Sequence, residues 1–181
     1  MSSRRVLTAA ATTIAMAVCA PVQLRPQSLT QRRLEAAVVS KFPQFVEWPS
    51  VALSGRQTLD LCVAAADPVG PDLDALVANE RIDGRNLAVR RIQREADVAS
   101  CHVLFLSATA GPARSALLQR AAALPVLTIG DEDRFLDTGG IIRLRLVDDR
   151  IRFDVNAAAA QRVGLRISSQ LLQLALTVRG A

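Results

Sequence analysis

RIRFDVNAAAAQRVGLRISSQLLQLA, residues 150–175, is the stretch whose reading decides the fold. Ile151, Phe153 and Val155 sit two apart, as in a strand with one apolar face. Asn156 then turns the chain, and Ala157 to Ala160 begin a helix built from the best helix former. Gly164 breaks that helix, and an apolar helix follows to Ala175. Just upstream, residues 141–147 look like a second strand, which predicts a hairpin around Asp148 and Asp149.

Farther from this stretch the pattern changes. Residues 59–66 (LDLCVAAA) and 101–106 (CHVLFL) are unbroken apolar runs of strand length, as expected for strands buried on both faces. Residues 126–129, and a run through Leu87 and Val89 to Ile92, add further strands. A short helix capped by Asp72, a helix over 112–122 and a short one over 131–136 alternate with them. Residues 29–46 read as a helix with Leu34, Val38, Phe42 and Phe45 on one face. Pro43 lacks a backbone donor and should kink that helix or end it early. The alternation predicts a three-layer α/β fold: a Rossmann-like, mostly parallel sheet with an antiparallel C-terminal hairpin and flanking helices. One domain is expected, over residues 31–178.

The beginning of the chain reads differently. Arg4 and Arg5 precede an uncharged, Ala/Thr-rich stretch and small residues at Ala15, Ala17 and Ala20, the pattern of a cleaved signal peptide over residues 1–20. A flexible stretch over 21–30 would follow. The alternative is an uncleaved N-terminal anchor. A cleaved leader predicts an exported protein. Without residues 1–20 the basic count falls from 22 to 20 against 17 acids, a net charge of +3. That mild excess is spread along the chain, and there is no Tyr to stack on bases. Nucleic acid is not the expected partner.

Few residues suggest chemistry. Cys62 and Cys101 are the cysteines left behind the leader. An even count in an exported chain predicts a disulfide between their strands, the alternative being two buried free thiols. His102 is the sole histidine, and in an apolar strand it reads as a core residue rather than a catalyst. Asp67, Asp72, Asp74 and Asp83 do not have the spacing of a calcium loop, and Gly139-Gly140 lacks the pattern of a phosphate loop. No catalytic residue, metal or cofactor is expected.

Phe42, Phe45 and Trp48 are three of only six aromatics. They pack in the core or form a patch that a partner covers. Leu165, Ile167, Leu171, Leu172, Leu174 and Leu176 surround their predicted helix more broadly than one buried stripe requires. Phe45, Trp48, Leu171 and Leu174 are therefore the candidate partner-binding residues.

The order and spacing of several pieces resemble the YfiR-like family of periplasmic regulators. These pieces are KFPQFVEWP (41–49), LCVAAADPVG (61–70), CHVLFLS (101–107), VLTIGD (126–131), FLDTGGII (135–142), IRFDVN (151–156) and GLRISSQLLQLA (164–175). The resemblance covers residues 31–178. It implies an α/β protein that binds the periplasmic sensor domain of an inner-membrane diguanylate cyclase and holds the cyclase off, lowering cyclic di-GMP and biofilm formation. It also implies dimerisation, and a cysteine pair at Cys62 and Cys101. Two departures stand out: Pro43 lies inside a helix usually uninterrupted in relatives, and Leu136 and Arg143 occupy the neighbourhood where some relatives carry a second cysteine pair.

The leading expectation is thus a non-enzymatic periplasmic regulator acting by protein binding. The first rival is a small-ligand binding module using the crevice at the carboxyl ends of parallel strands, near 66–68 and 107–109. The second is an enzyme of unrecognised type, which lacks a recognisable nucleophile–base pair.

Overall fold

The computed structural model describes residues 29–180. The leader expected over 1–20 lies outside the described residues, as does the flexible stretch expected over 21–30 except for Leu29 and Thr30, which begin the first helix. That helix, α1 (Leu29–Lys41), passes into a 3-10 turn (Phe42–Phe45) and strand β1 (Val46–Glu47). The chain continues through α2 (Ser50–Leu53), β2 (Thr58–Ala64), α3 (Gly70–Val77), β3 (Arg81–Ile82) and β4 (Arg85–Ile92). A 3-10 segment (Glu95–Ser100) leads to β5 (Val103–Leu106), α4 (Arg114–Ala121) and β6 (Leu127–Gly130). The last third holds β7 (Ile142–Val147), β8 (Arg150–Asn156), α5 (Ala157–Arg162), β9 (Arg166–Ile167), α6 (Ser169–Leu174) and β10 (Thr177–Arg179).

Eight strands form one sheet in the order β10-β8-β7-β6-β5-β2-β4-β3, and β1 pairs with β9 in a small antiparallel ribbon. Within the large sheet only β3–β4 and β7–β8 are antiparallel. The fold is the expected three-layer α/β arrangement with an antiparallel hairpin near its end. Asp148 and Asp149 both take positive φ, +49° and +57°, the geometry of a two-residue hairpin turn whose twist matches its strands.

Two apolar layers cover the sheet. On one face Ala36 and Val39 of α1, Phe42 and Leu73 of α3 pack on Leu61, Val63, Phe105, Ile129, Leu144 and Phe153. The Phe42 and Phe153 rings meet edge to face with centroids 5.2 Å apart. On the other face Leu117 and Leu118 of α4, Val98, Phe135 and Leu136 pack on Cys62, Ile92, Leu104 and Leu106. The strands between these layers are β2, β5 and β6, buried along nearly their whole length, as their continuous apolar runs require.

Several expectations need correction. The helix expected over 29–46 stops at Lys41, because Pro43 cannot donate to a continuing helix and the chain tightens into a 3-10 turn. Its buried face is Glu35, Ala36, Val39 and Ser40, whereas Leu34 is exposed: docking on the sheet rotates the helix away from its leucine. Asp72 does not cap α3; it lies inside the first turn after Val69 and Pro71. The helix expected over 131–136 is absent among the described residues; residues 133–139 form successive turns instead. There Phe135 inserts between Gly130 and Gly140, where any Cβ would collide with its ring.

The apolar helix expected after Gly164 also differs. Residues Arg166 and Ile167 are a strand paired to Glu47 and Val46, α6 is only six residues long, and the chain ends in β10, parallel to β8. The breadth of the apolar pattern arises because Leu165 and Ile167 lie outside the helix altogether. Asn156 and Ser168 accept from the amides of Ala159 and Leu171, capping α5 and α6.

Candidate functional site

Parallel strands β2 and β5 bring the two cysteines together. Cys62 pairs with Leu104 in the sheet register, and Cys101 lies just before β5. A disulfide joins them, with Cα atoms 5.8 Å apart. Both residues are buried in the layer beneath α4. The bond closes 39 residues of chain, a constraint of about 4 kcal/mol on the unfolded state in the chain-entropy model.

His102 follows Cys101 but faces the other way, as alternation along an extended segment dictates. The Asp60 amide donates to its Nδ1 at 3.0 Å, and the His102 amide donates to the Asp60 carbonyl at 2.9 Å. Burial lowers its pKa against the opposing pull of the Asp60 carboxylate. The imidazole is therefore a neutral hydrogen-bonding part of the core. Trp48 stands edge-on to it, centroids 6.4 Å apart.

The carboxyl ends of β2, β5 and β6 carry a polar knot where a ligand crevice was an open possibility. Ser107 Oγ donates to Asp67 Oδ2 at 2.5 Å and lies 2.7 Å from Thr109 Oγ1. The Val69 amide donates to Asp67 Oδ1, and the Ala108 amide to Asp131 Oδ1. Glu35 of α1 lies close enough to feel the carboxylates of Asp131 and Asp67. Asp67, Ser107 and Glu35 are buried at this end of the sheet, whereas Ala66, Pro68, Ala108 and Thr109 are exposed. Burial first, then those two carboxylates, raise the Glu35 pKa to about 7, while the Gln31 amide opposes them by donating to Oε1 at 2.9 Å. Among the described residues Glu35 Oε2 has no hydrogen-bond partner.

The aspartates considered for a cation do not gather. Asp72 pairs with Arg32 and Arg33, Asp74 with Arg91 at 2.5 Å, and Asp83 takes the positive φ of a turn. Among the described residues no group of three or more His, Cys, Asp or Glu side chains is placed to hold a metal ion.

The four residues proposed for partner binding are split by the fold. Leu171 is 2% exposed and Trp48 9%, while Phe45 is half-buried and Leu174 is 61% exposed. Trp48 and Leu171 thus belong to the apolar core, and Leu174 stands outside. Leu146 and Leu176 are the other exposed leucines near the C-terminal edge of the sheet, at 47% and 43%.

Residues 32–176 match the model of the YfiR/HmsC-like family. The chain belongs to that family. The match runs from the first turn of α1 to the residue before β10 and so spans the residues of both apolar layers, of the disulfide and of the hairpin. A solved structure, titled as the crystal structure of a conserved domain protein from Vibrio cholerae O1 biovar El Tor str. N16961, is similar in fold with a TM-score of 0.51 at 12% identity. The similarity covers 82% of this YfiR/HmsC-like chain and 60% of the Vibrio chain. No described helix is long and apolar enough to cross a membrane.

One feature was not legible as a site in the sequence. Arg143, Arg145, Arg150 and Arg152, two short clusters in the chain, come to lie on one face of the β7–β8 hairpin. The signal was the alternation of Arg with Leu and Ile; what was missing is that, among the described residues, Arg145, Arg150 and Arg152 stay exposed.

Proposed function

We propose that this YfiR/HmsC-like protein is a non-enzymatic regulator of the periplasm. It binds the periplasmic domain of an inner-membrane signalling protein, a diguanylate cyclase, and by binding holds the cyclase in its inactive state. The family match over residues 32–176 carries this reading. A cleaved leader over residues 1–20 would deliver the chain to that compartment. The exposed Leu174 and the half-buried Phe45 suit an apolar contact, with Trp48 and Leu171 positioning them from beneath. Homodimerisation belongs to the same proposal.

Binding can bias the cyclase only by the difference in affinity for its two states. Mature protein titrated onto the purified periplasmic domain of the cyclase should give a saturable, stoichiometric complex. Expression in cells carrying that cyclase should lower cyclic di-GMP. Unchanged cyclic di-GMP with a correctly exported protein would count against the reading.

A further inference from the structure

Among the described residues the sheet is covered on both faces along β2, β5 and β6, whereas along β7 and β8 the outer face is exposed at Arg145, Arg150 and Arg152. Phe153 turns toward α1 and Phe42, so Arg152 and Asp154 turn to the opposite face. Register places Arg143 opposite Asp154, Arg145 opposite Arg152 and Val147 opposite Arg150 on that outer face. Asp154 is buried beneath them. Its Oδ2 accepts from Arg143 Nε at 3.0 Å and Nη2 at 2.5 Å, and Arg145 Nη1 lies 3.6 Å away.

This leaves charge unanswered. Asp154 Oδ2 is held by Arg143 and reached by Arg145, and among the described residues its Oδ1 has no hydrogen-bond partner and Arg150 and Arg152 have no ion-pair partner. Arg145 and Arg152 are like charges directly opposite each other across an antiparallel pair, an arrangement that costs stability in the free protein. Arg150 and Arg152 line an open hollow of about 470 Å³ together with Val147, Leu176 and Asp148. The hollow therefore presents two guanidinium groups, one turn carboxylate and an apolar wall.

We infer that the outer face of the β7–β8 hairpin, centred on Arg145, Arg150 and Arg152 and flanked by Leu176, docks an acidic segment of a protein partner. Carboxylates would take the guanidinium forks, and an apolar residue beside them would cover Leu176 and Val147. The site deepens the proposed function and rests on it for the partner's identity: the acidic segment belongs to the periplasmic domain of the cyclase. Leu176 lies two residues beyond the exposed Leu174 and lines the hollow beside Arg150 and Arg152.

The test uses the full mature chain and the variant Arg150→Gln/Arg152→Gln. Both residues are exposed, and equal melting temperatures of variant and parent would show that the fold is kept. Binding is measured to the purified cyclase domain at low and high salt, to a labelled peptide of alternating Glu and Leu, and to phosphatidylglycerol vesicles. The expected result is at least tenfold weaker binding of the variant to the cyclase domain, with the salt dependence of the parent much reduced. If parent and variant bind that domain equally, the inference falls and the regulator reading stands. If the parent does not bind the domain at all, the regulator reading falls and the peptide decides: peptide binding lost in the variant supports the acidic-segment site, and no peptide binding overturns it. Vesicle binding lost in the variant without domain or peptide binding overturns it in favour of a membrane surface.

Discussion

The two halves of the sheet differ in kind. Strands β2, β5 and β6 lie between α1 and α3 on one side and α4 with the Phe135 turn on the other, and their residues read TLDLCVA, VLFL and LTIG. The hairpin β7–β8 reads IRLRLV and RIRFDVN, apolar toward α1 and charged toward solvent. A doubly covered strand must be apolar at every position, whereas a singly covered one alternates. The comparison teaches that stability resides in the first half. The second half holds surface available for recognition.

The sharpest way to break this comparison is to truncate one aromatic in the doubly covered half. Phe105 is fully buried, so Phe105→Ala should destabilise by roughly 3–5 kcal/mol through lost transfer energy and a residual cavity. Denaturant titration measures it, and a loss below about 1 kcal/mol would mean that this half is not a close-packed core.

The disulfide belongs to the same half. Replacing both Cys62 and Cys101 by Ala should cost up to about 4 kcal/mol, the constraint lost from a 39-residue closure. Because both sulfurs are buried, dithiothreitol should reduce the bond in the folded protein far more slowly than in urea. Thiol labelling of unreduced, denatured protein should find Cys62 and Cys101 blocked.

Glu35 sharpens the comparison at the seam where α1 crosses the ends of the parallel strands. Its folded pKa is about 7 against an ordinary value of 4.5. The folded state therefore holds this proton more tightly than the unfolded state does. Stability from this group is present below pH 4.5 and is lost as pH rises through 7, by at most roughly 3 kcal/mol. Glu35→Gln should remove that part of the pH dependence and leave the variant more stable than the parent at pH 8. Thermal melts from pH 4.5 to 8 check it; parallel curves for the two proteins would show that Glu35 ionises without penalty.

The smallest effect is expected on the outer face of the hairpin. Arg152→Gln should change stability by no more than about 0.5 kcal/mol, and with the opposed Arg145 relieved the sign should be slightly stabilising. A loss of more than 1 kcal/mol in a chemical melt would show that Arg152 helps to hold the sheet.

Much of this was legible in the residues. The unbroken runs at 59–66 and 101–106 specify strands buried on both faces, and the alternation around Asp148-Asp149 specifies a hairpin. The two cysteines beyond residue 20 raise a disulfide against two buried free thiols, and the structure joins Cys62 to Cys101. The face of α1 was not legible, because Leu34 is the better hydrophobe yet Glu35 is the residue turned inward. Local periodicity ranks faces by apolarity, whereas docking ranks them by fit to the sheet and to α3.

By itself, then, the sequence determined the doubly buried strands, the hairpin and the apolar character of the layers, since these depend on propensity and on spacings of two to four residues. Only the tertiary structure decided what each side chain faces. It sent Trp48 and Leu171 inward, left Leu174 outside, and buried Asp67 and Ser107 in a hydrogen bond to each other. It also gathered Arg143, Arg145, Arg150 and Arg152 on one uncovered face. The physical reason is that coverage is a long-range property. A strand's residues state which side can be buried, but whether a helix arrives to bury it depends on connections made elsewhere in the chain.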